Sequence, residues 1–326
     1  MKTFYGYKDL KDKLKDPVAA IGIFDGIHIG HRRVISKVLN FPEAGRDKVI
    51  ITFDPHPRAV LRPDKKPCRI MSLDHRLYIF EKMGIDAVIV IRFSDFIAMM
   101  PPDEFVKRII LGAGARKIFV GENFHFGRGK TGSVEDLKNI GARYGVDVTA
   151  VRPVRKNRKI VSSSWLRELI KRGDLERSAK ILRRPVSVLG TVIRGDNRGA
   201  KLGTPTANID PHHEVIPPPG VYAVKAVIQG QSELYDGVLN VGFKPTFYGR
   251  SLAKRKEPHI EAHILGCSRD FYGDVMEIFF IRKLRKEKKF SNEEKLKNQI
   301  KKDIIHAEKF LKCKMIVRKI RKYKYL

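Results

Sequence analysis

Residues 19–39 read AAIGIFDGIHIGHRRVISKVL, and this stretch joins a β-rich run to a segment of helical period. The predicted strand covers residues 19–24 and ends in a turn that contains Gly26 and Gly30. In an open α/β sheet this is the ligand end of a strand, where free backbone N–H groups and the helix dipole favour phosphate. We therefore predict a nucleotide site here, with both glycines letting the backbone approach a triphosphate closely.

Two groups of polar residues make this site specific. His28 and His31 are three residues apart, so they lie on one face of the first helical turn. Nucleotidyl transfer builds negative charge on the α-phosphate and on the leaving pyrophosphate, and imidazoles can donate hydrogen bonds to both. Histidines near a helix start are also common as plain polar surface. The segment Ser163, Ser164 and Arg167, before another helix, adds groups suited to ATP phosphates, although a serine run alone is merely an N-cap.

The N-terminal half alternates β-rich and helical segments. Strand candidates are residues 19–24, 49–53, 87–93, 117–121 and 146–151, and helix candidates include residues 74–83 and 133–144. Ser133 and Asp136 resemble a capping box at the start of the second helix. This alternation predicts a Rossmann-like α/β domain with a parallel sheet.

The pattern changes after residue 184. Short β runs at residues 186–193, 221–228, 237–241, 259–265 and 275–281 are separated by Gly, Pro and Asn, which is typical of an antiparallel barrel. One helix from residue 291 follows, with apolar residues at helical spacing that should pack on the barrel. We place the domain boundary at Arg183-Arg184-Pro185, where proline limits helix continuation, and predict domains 1–183 and 184–326, the second with a basic C-terminal tail.

A glycine-rich segment precedes the second barrel strand. Three glycines occur at four-residue spacing from Gly195 to Gly203, with Lys201 between the last two. Two interpretations are open, a phosphate-binding loop and an ordinary turn between barrel strands. Pro205 begins the Pro-Thr-Ala-Asn sequence that follows. Thr206 and Asn208 in it offer a hydroxyl and an amide oxygen, which are hard ligands suited to Mg²⁺.

Phosphorylating an alcohol also needs a group that accepts its proton. Strand alternation over residues 259–264 places Ile260, Ala262 and Ile264 on one face and His259, Glu261 and His263 on the other. Spacing alone leaves two interpretations of the polar face open, a solvent-facing surface and a site with Glu261 as a base.

The N-terminal motifs resemble a known family. His-Ile-Gly-His and Ser-Ser-Ser-x-x-Arg are similar to the nucleotidyltransferase superfamily. Phe-Asp-Pro-His-Pro at 53–57 and Gly-Glu-Asn-Phe-His-Phe-Gly at 121–127 narrow the resemblance to the FAD synthetase half of bifunctional prokaryotic riboflavin kinase/FAD synthetases. Ile23 departs from that pattern, which usually has Asn. The resemblance implies phosphate contacts by His28 and His31, nucleotide binding by Gly26, Gly30, Ser163, Ser164 and Arg167, and flavin binding by Phe53, Pro57 and Asn123.

The C-terminal motifs resemble the riboflavin kinase family. The glycine run with Pro-Thr-Ala-Asn, Gly-Val-Tyr at 220–222, Asn-Val-Gly-Phe-Lys-Pro-Thr at 240–246, Glu261 and residues 285–290 occur in the family order. The resemblance implies a six-stranded barrel, Mg²⁺ at Thr206 and Asn208, and Glu261 as base for the ribityl 5′-hydroxyl. It also implies nucleotide binding by Gly195, Lys201, Gly203 and Pro205 and flavin binding by Asn240 and Arg285. Ala200, Thr204 and Lys244 depart from the family pattern.

Together the resemblances imply two ATP-dependent reactions. The C-terminal domain would convert riboflavin to FMN with release of ADP, and the N-terminal domain would convert FMN to FAD with release of pyrophosphate. ATP and Mg²⁺ are the expected co-substrate and cofactor. A chain with only one activity retained is the alternative.

Composition agrees with a cytoplasmic enzyme. The 326 residues include 42% hydrophobic and 31% charged residues, and no apolar run approaches the ~18 residues of a membrane span, so no membrane partner is expected. Three scattered cysteines suggest neither disulfides nor a zinc site. The charge of +30 and the 18 Lys and Arg against 5 Asp and Glu over residues 282–326 raise nucleic-acid binding as another function class. We do not expect a nucleic acid partner, because no recognised motif accompanies this charge.

Overall fold

The computed structural model describes residues 1–8, 10, 12–65, 68–194, 205–245, 256–267, 269–312 and 320. The chain forms two compact units. The first unit consists mainly of Met1–Cys68 and Arg76–Ser163, and the second consists of Arg69–His75 and Ser164–Lys324.

A six-stranded parallel sheet forms the centre of the first unit, as the Rossmann-like prediction requires. The strand order is β1-β4-β3-β2-β5-β6, and the strands are β1 (Lys2–Tyr5), β2 (Val18–Ile21), β3 (Lys48–Asp54), β4 (Ala87–Arg92), β5 (Lys117–Gly121) and β6 (Asp147–Val151). The sequence pattern missed β1, because this four-residue strand is only partly buried at the sheet edge and lacks a strong apolar period.

Helices connect the strands. They are α1 (Ile29–Leu39), α2 (Pro57–Leu61), α3 (Leu73–Lys82), α4 (Asp95–Ala98), α5 (Pro102–Phe105), which continues into a π-helical stretch (Val106–Leu111), and α6 (Val134–Arg143). Short 3₁₀ turns cover Pro63–Lys65 and Arg128–Lys130. The predicted capping box is present at α6, where Ser133 and Asp136 each accept a hydrogen bond from the other's backbone N–H.

Strand β2 ends at Ile21, three residues before the predicted end. Phe24 (φ 53°), Gly26 (φ 87°) and Ile27 (φ 42°) all adopt left-handed conformations, which no strand can contain. The Phe24 ring folds back over Gly22, where a Cβ atom would lie 2.9 Å from the ring. The chain after β2 is therefore a tight turn that leads into α1.

The second unit contains a closed antiparallel barrel, which confirms the six strands that the resemblance implied. The strand order is β10-β13-β12-β11-β14-β9, and the strands are β9 (Val186–Ile193), β10 (Ala207–Asp210), β11 (Gly220–Ile228), β12 (Tyr235–Pro245), β13 (Lys256–Ile264) and β14 (Val275–Arg285). The remaining elements are a hairpin of β7 (Arg155–Lys156) and β8 (Lys159–Ile160) in the first unit, and the helices α7 (Ser163–Arg172), α8 (Leu175–Leu182) and α9 (Glu293–Leu311).

Helix α9 packs on the barrel as its apolar spacing predicts. Ala307 and Leu311 are buried in one cluster with Ala223 of β11. Burial alternates along β13, where Ile260, Ala262 and Ile264 are buried and form the face predicted to be apolar.

Candidate active sites

The strand order of the first unit brings three predicted segments to one end of the sheet. The order reverses between β2 and β5, and ligands of open α/β sheets bind outside the carboxyl ends of strands at such a point. His28 follows β2, Pro57 follows β3 and Asn123 follows β5. The sheet topology therefore places these residues at the end where a nucleotide site is expected.

His28 and His31 form a stacked pair at the start of α1. Their ring centroids are 3.6 Å apart with an interplanar angle of 17°. His28 is the N-cap of α1, and its Nδ1 accepts the backbone N–H of His31 at 3.3 Å. Because Nδ1 accepts, the proton of a neutral His28 ring lies on Nε2. A Cβ atom on Gly30 would lie 3.2 Å from the His28 ring, so glycine leaves the room that this ring occupies.

Both imidazoles are neutral in the absence of a ligand. Burial lowers the pKa of His28 from 6.5 to about 4. Burial, and then the nearby His28 and Arg76, lower the pKa of His31 well below its usual value. Nδ1 of His31 is buried and has no hydrogen-bond partner within the described part of the chain. The pair can therefore offer hydrogen bonds to a phosphate oxygen without carrying a fixed charge.

Arg76 is a residue of this region that sequence reasoning missed. It is 3% exposed, and its Nη1 donates to the Ile23 carbonyl at 2.8 Å and to Thr52 Oγ1 at 3.0 Å. Its Nη2 donates to Asp54 Oδ1 at 3.0 Å. Arg76 thus joins the turn after β2 to the end of β3. In the sequence Arg76 is the last of three consecutive polar residues at the start of α3, and this pattern does not distinguish a buried arginine from an exposed one.

The serine segment reaches the same turn. Ser163 Oγ donates to the Asp25 carbonyl at 2.8 Å, which ties the start of α7 to the residue before Gly26. Ser164 and Arg167 follow on α7 and belong to the second unit. The predicted phosphate-binding residues of the first unit, Ser163 among them, are therefore connected through the turn at residues 24–28.

The predicted flavin residues differ in their surroundings. Phe53 is 6% exposed and packs in the core, with its ring stacked on Phe105 at 6.4 Å and edge-on to Phe93 at 6.1 Å. Pro57 is half-buried as the first residue of α2, and Asn123 is exposed. Pro57 and Asn123 are accessible to a ligand. The ring of Phe53 packs in the core, and its contact with flavin stays a prediction.

The barrel aligns three predicted residues across neighbouring strands. Glu261 of β13 is the register partner of Asn208 on β10 and of Asn240 on β12. Side chains at paired positions point to the same face of a sheet, so the three form one row. Oδ1 of Asn208 is buried and lacks a hydrogen-bond partner among the residues that the structure describes.

Two histidines flank this row. Nε2 of His259 lies 2.7 Å from Oε1 of Glu261, and since a carboxylate can only accept, the imidazole nitrogen donates. His263 Nδ1 lies 2.8 Å from the Pro205 carbonyl. Pro205 is exposed and Thr206 is half-buried just before β10. The predicted nucleotide residues Gly195, Lys201 and Gly203, and the departures Ala200 and Thr204, lie outside the described residues.

Arg285 has a strong partner within its own unit. Its Nε lies 3.0 Å from both carboxylate oxygens of Asp303, and its Nη2 lies 2.8 Å from Oδ2. Nη1 donates to the Lys286 carbonyl at 3.1 Å, and Gln299 also donates to Asp303. Asp303 on α9 thus holds the guanidinium that the sequence predicts near flavin. Sequence reasoning missed Asp303, which occurs among exposed lysines.

Comparison with known proteins identifies the family of the chain. A family model described as FAD synthetase matches residues 10–165, and one described as riboflavin kinase matches residues 182–311. The bifunctional riboflavin kinase/FMN adenylyltransferase of Bacillus subtilis is 33% identical over 298 residues, which cover 90% of this chain and 92% of the relative. The protein of the same name from Pseudomonas fluorescens is 32% identical and covers 94% and 97%. The chain belongs to the bifunctional riboflavin kinase/FMN adenylyltransferase family.

Membership of this family confirms the predicted function: the chain is a transferase with an FAD synthetase part followed by a riboflavin kinase part. Both activities of the bifunctional riboflavin kinase/FMN adenylyltransferase family use ATP. A crystal structure titled macrolide-efflux protein from Streptococcus pneumoniae has the same fold, with a TM-score of 0.76 and 27% identity, and covers 94% of this chain and 99% of that chain. Within the described residues, no helix is both long enough and apolar enough to cross a membrane.

A buried charge cluster in the second unit of this family member was not predicted. His75 is fully buried, with Nδ1 3.0 Å from both carboxylate oxygens of Glu214 and Nε2 3.2 Å from Glu277. Burial lowers the pKa of His75, but the two carboxylates raise it by more, to about 9. Arg184 donates to Ser187 Oγ at 2.8 Å, which in turn donates to Glu277. The cluster attaches the segment Arg69–His75 to the barrel.

Proposed function

We propose that the second unit transfers the γ-phosphoryl group of ATP to the 5′-hydroxyl of riboflavin, and that the first unit transfers AMP from ATP to FMN. The products are FMN and ADP in the first reaction and FAD and pyrophosphate in the second. One observation carries the assignment of residues: the row of Asn208, Glu261 and Asn240, with a buried and unengaged amide oxygen beside the carboxylate.

The kinase chemistry follows from the position of Glu261. Its carboxylate would accept the proton of the ribityl hydroxyl while the hydroxyl oxygen attacks the γ-phosphorus and ADP leaves. The hydrogen bond from His259 at 2.7 Å fixes the orientation of the carboxylate. Asn240 on the adjacent strand would orient the flavin, with Arg285 held by Asp303 further along the barrel.

Asn208 and Thr206 fit a magnesium site. The buried Oδ1 of Asn208 is the type of neutral oxygen donor that Mg²⁺ takes together with phosphates and water, and the Thr206 hydroxyl lies two residues before it. When bound, the ion would neutralise developing charge on the transferred phosphoryl group. In this proposal Asn208 and Thr206 would hold the ion, and Glu261 would accept the proton of the hydroxyl group.

The adenylyltransferase chemistry rests on the paired imidazoles. His28 carries its proton on Nε2, so it can donate a hydrogen bond to an oxygen of the α-phosphate or of the leaving pyrophosphate. His31, stacked on it, has a buried ring nitrogen free for the same purpose among the described residues. Backbone N–H groups at the start of α1 add to this phosphate preference.

Two further statements are part of the proposal. A domain boundary between residues 183 and 184, giving 1–183 and 184–326, is supported by the change from α/β to barrel strands, with β9 starting at Val186. A cytoplasmic location is supported by Cys267, whose thiol forms no disulfide among the described residues, as expected in a reducing compartment.

The assay supplies riboflavin, ATP and Mg²⁺ to the intact chain and separates the flavin products. Glu261→Gln should lower FMN formation by about 10²- to 10⁴-fold and leave FAD formation from supplied FMN in place. The double variant His28→Ala, His31→Ala should lower FAD formation from supplied FMN and leave FMN formation from riboflavin in place. Glu233→Gln, on an exposed carboxylate of the same unit, is the matched control and should leave both rates unchanged.

Three outcomes would contradict the assignments. Near-normal FMN formation by Glu261→Gln would remove this residue from the mechanism. Loss of both activities in either variant, with an unchanged circular dichroism spectrum, would show that the residues do not serve separate reactions. Formation of FMN alone by the wild-type chain would select the alternative in which only the kinase is active.

A further inference from the structure

An unassigned basic hairpin lies in the first unit. Strands β7 and β8 pair through Arg155 with Ile160 and Lys156 with Lys159. Asn157 and Arg158 form the two-residue turn with φ values of 49° and 62°. Two consecutive left-handed residues match the twist of a tight β-hairpin. The turn therefore projects the side chains around it from a defined backbone.

The charge of this region has a single sign. Residues 148–167 contain six Lys and Arg residues and no Asp or Glu, and those on the hairpin are exposed. No described carboxylate lies within ion-pair distance of Lys156 or Arg158. Arg152 approaches Glu122 only at 3.9 Å while 89% exposed, so this pair contributes little neutralisation. Lys156 and Arg158 therefore carry exposed positive charge at the tip of the hairpin.

The base of the hairpin lies against the proposed nucleotide site. The Val161 backbone N–H donates to the Val154 carbonyl at 2.9 Å, which closes the hairpin. The Val161 carbonyl lies 3.8 Å from the point that a Cβ atom on Gly30 would occupy. Two residues after Val161, Ser163 donates to the Asp25 carbonyl. The cations are therefore anchored beside the turn that carries His28.

We propose that this hairpin, residues 155–160, captures the triphosphate of ATP by electrostatic attraction and delivers it to the adenylyltransferase site. The inference rests on the proposed function of that site. Exposed charges attract a polyanion over about 10 Å at ~0.1 M salt, and a basic patch beside a binding site raises the association rate by about 10- to 10³-fold. ATP is favoured over FMN as the captured anion because β8 leads directly into the serine segment proposed to bind ATP.

The test compares Lys156→Gln, Arg158→Gln with the wild-type chain in FAD synthesis from FMN. With two of the cations removed, kcat/KM for ATP should fall about 3- to 10-fold at ~20 mM KCl and less than about 2-fold at ~500 mM KCl, because salt screens the attraction. The loss should fall on kcat/KM for ATP rather than on kcat. Riboflavin phosphorylation by the same preparation should be unchanged.

Two further variants separate capture from folding and from net charge. Lys156→Arg, Arg158→Lys keeps the charge and should keep the wild-type kcat/KM. Lys2→Gln, Lys15→Gln removes two cations near the amino ends of strands β1 and β2, the opposite end of the sheet, and should leave FAD synthesis unchanged.

Several results would overturn the proposal. These are an unchanged kcat/KM for ATP at low salt, an equal loss in the Lys2 and Lys15 variant, and a loss in the charge-retaining variant. A loss confined to FMN kinetics, or to binding of a single-stranded oligonucleotide, would assign the hairpin to another anion. Absence of FAD synthesis in the wild-type chain would instead contradict the proposed function itself.

Discussion

Replacing His75 by glutamine should destabilise the second unit in a pH-dependent way. His75 is fully buried between Glu214 at 3.0 Å and Glu277 at 3.2 Å, and Arg184 supplies the second positive charge of the cluster. Two carboxylates and two cations leave this buried cluster close to neutral. Glutamine keeps a polar side chain of similar length but removes one positive charge, so the carboxylates lose part of their compensation.

The magnitude follows from the pKa of His75. The carboxylates raise it from 6.5 to about 9 against the effect of burial, and each pKa unit is equivalent to about 1.4 kcal/mol, so protonation adds about 3 kcal/mol to stability. Because the folded pKa is the higher one, this contribution is fully present below pH 6.5 and disappears as the pH rises through about 9. His75, Arg184 and the Ser187 hydroxyl hold the pKa of Glu277 below its usual value although burial raises it, so its contribution is lost only in acid.

Urea unfolding of the intact chain at a series of pH values measures this effect. The single tryptophan, Trp165, belongs to the second unit, and its fluorescence therefore reports the unfolding of that unit. The free-energy difference between wild type and His75→Gln should shrink by about 3 kcal/mol between about pH 6 and pH 10. The exposed His306→Gln serves as a control in the same unit and should show the wild-type pH dependence. A difference that stays constant over this range would refute the assignment of a charged His75 to the cluster.

Three further predictions follow from other contacts. Gly30→Ala places a Cβ atom 3.2 Å from the His28 ring, so FAD synthesis should fall about 10-fold while riboflavin phosphorylation is retained. A wild-type rate of FAD synthesis in this variant, or an equal loss of both activities, would contradict the prediction. Asp303→Asn removes the charged partner of Arg285 and should lower the free energy of unfolding of the second unit by about 2 kcal/mol. Urea unfolding followed by Trp165 fluorescence measures this, and an unchanged free energy would refute a stabilising role of the ion pair. The ring protons of His28 should show no titration between about pH 8 and pH 5.5 in NMR spectra of the free protein, because burial lowers the pKa of His28 to about 4. A titration centred near pH 6.5 would contradict this.

Local sequence determined much of the architecture. The change from alternating strand and helix periods to closely spaced β runs predicted a parallel sheet followed by a barrel, because side-chain periodicity depends on neighbours a few residues away. The His28 and His31 pair was also predictable, since the two residues share one helical turn. The end of β2 was not, because the left-handed conformations of Phe24 and Ile27 run against their local preference and are held by packing around the turn.

Tertiary structure alone decided which distant charges meet. His75 bonds to carboxylates 139 and 202 residues away, and its spacing in the sequence carries no information about either. The row of Asn208, Glu261 and Asn240 likewise exists only because closure of the barrel sets the register of three strands. A buried charge is stable only where folding supplies its partner, and a metal or proton site requires groups positioned to within an ångström. Periodicity in the sequence can predict the strands that carry such groups, but their register and the burial around them arise from packing across the whole unit.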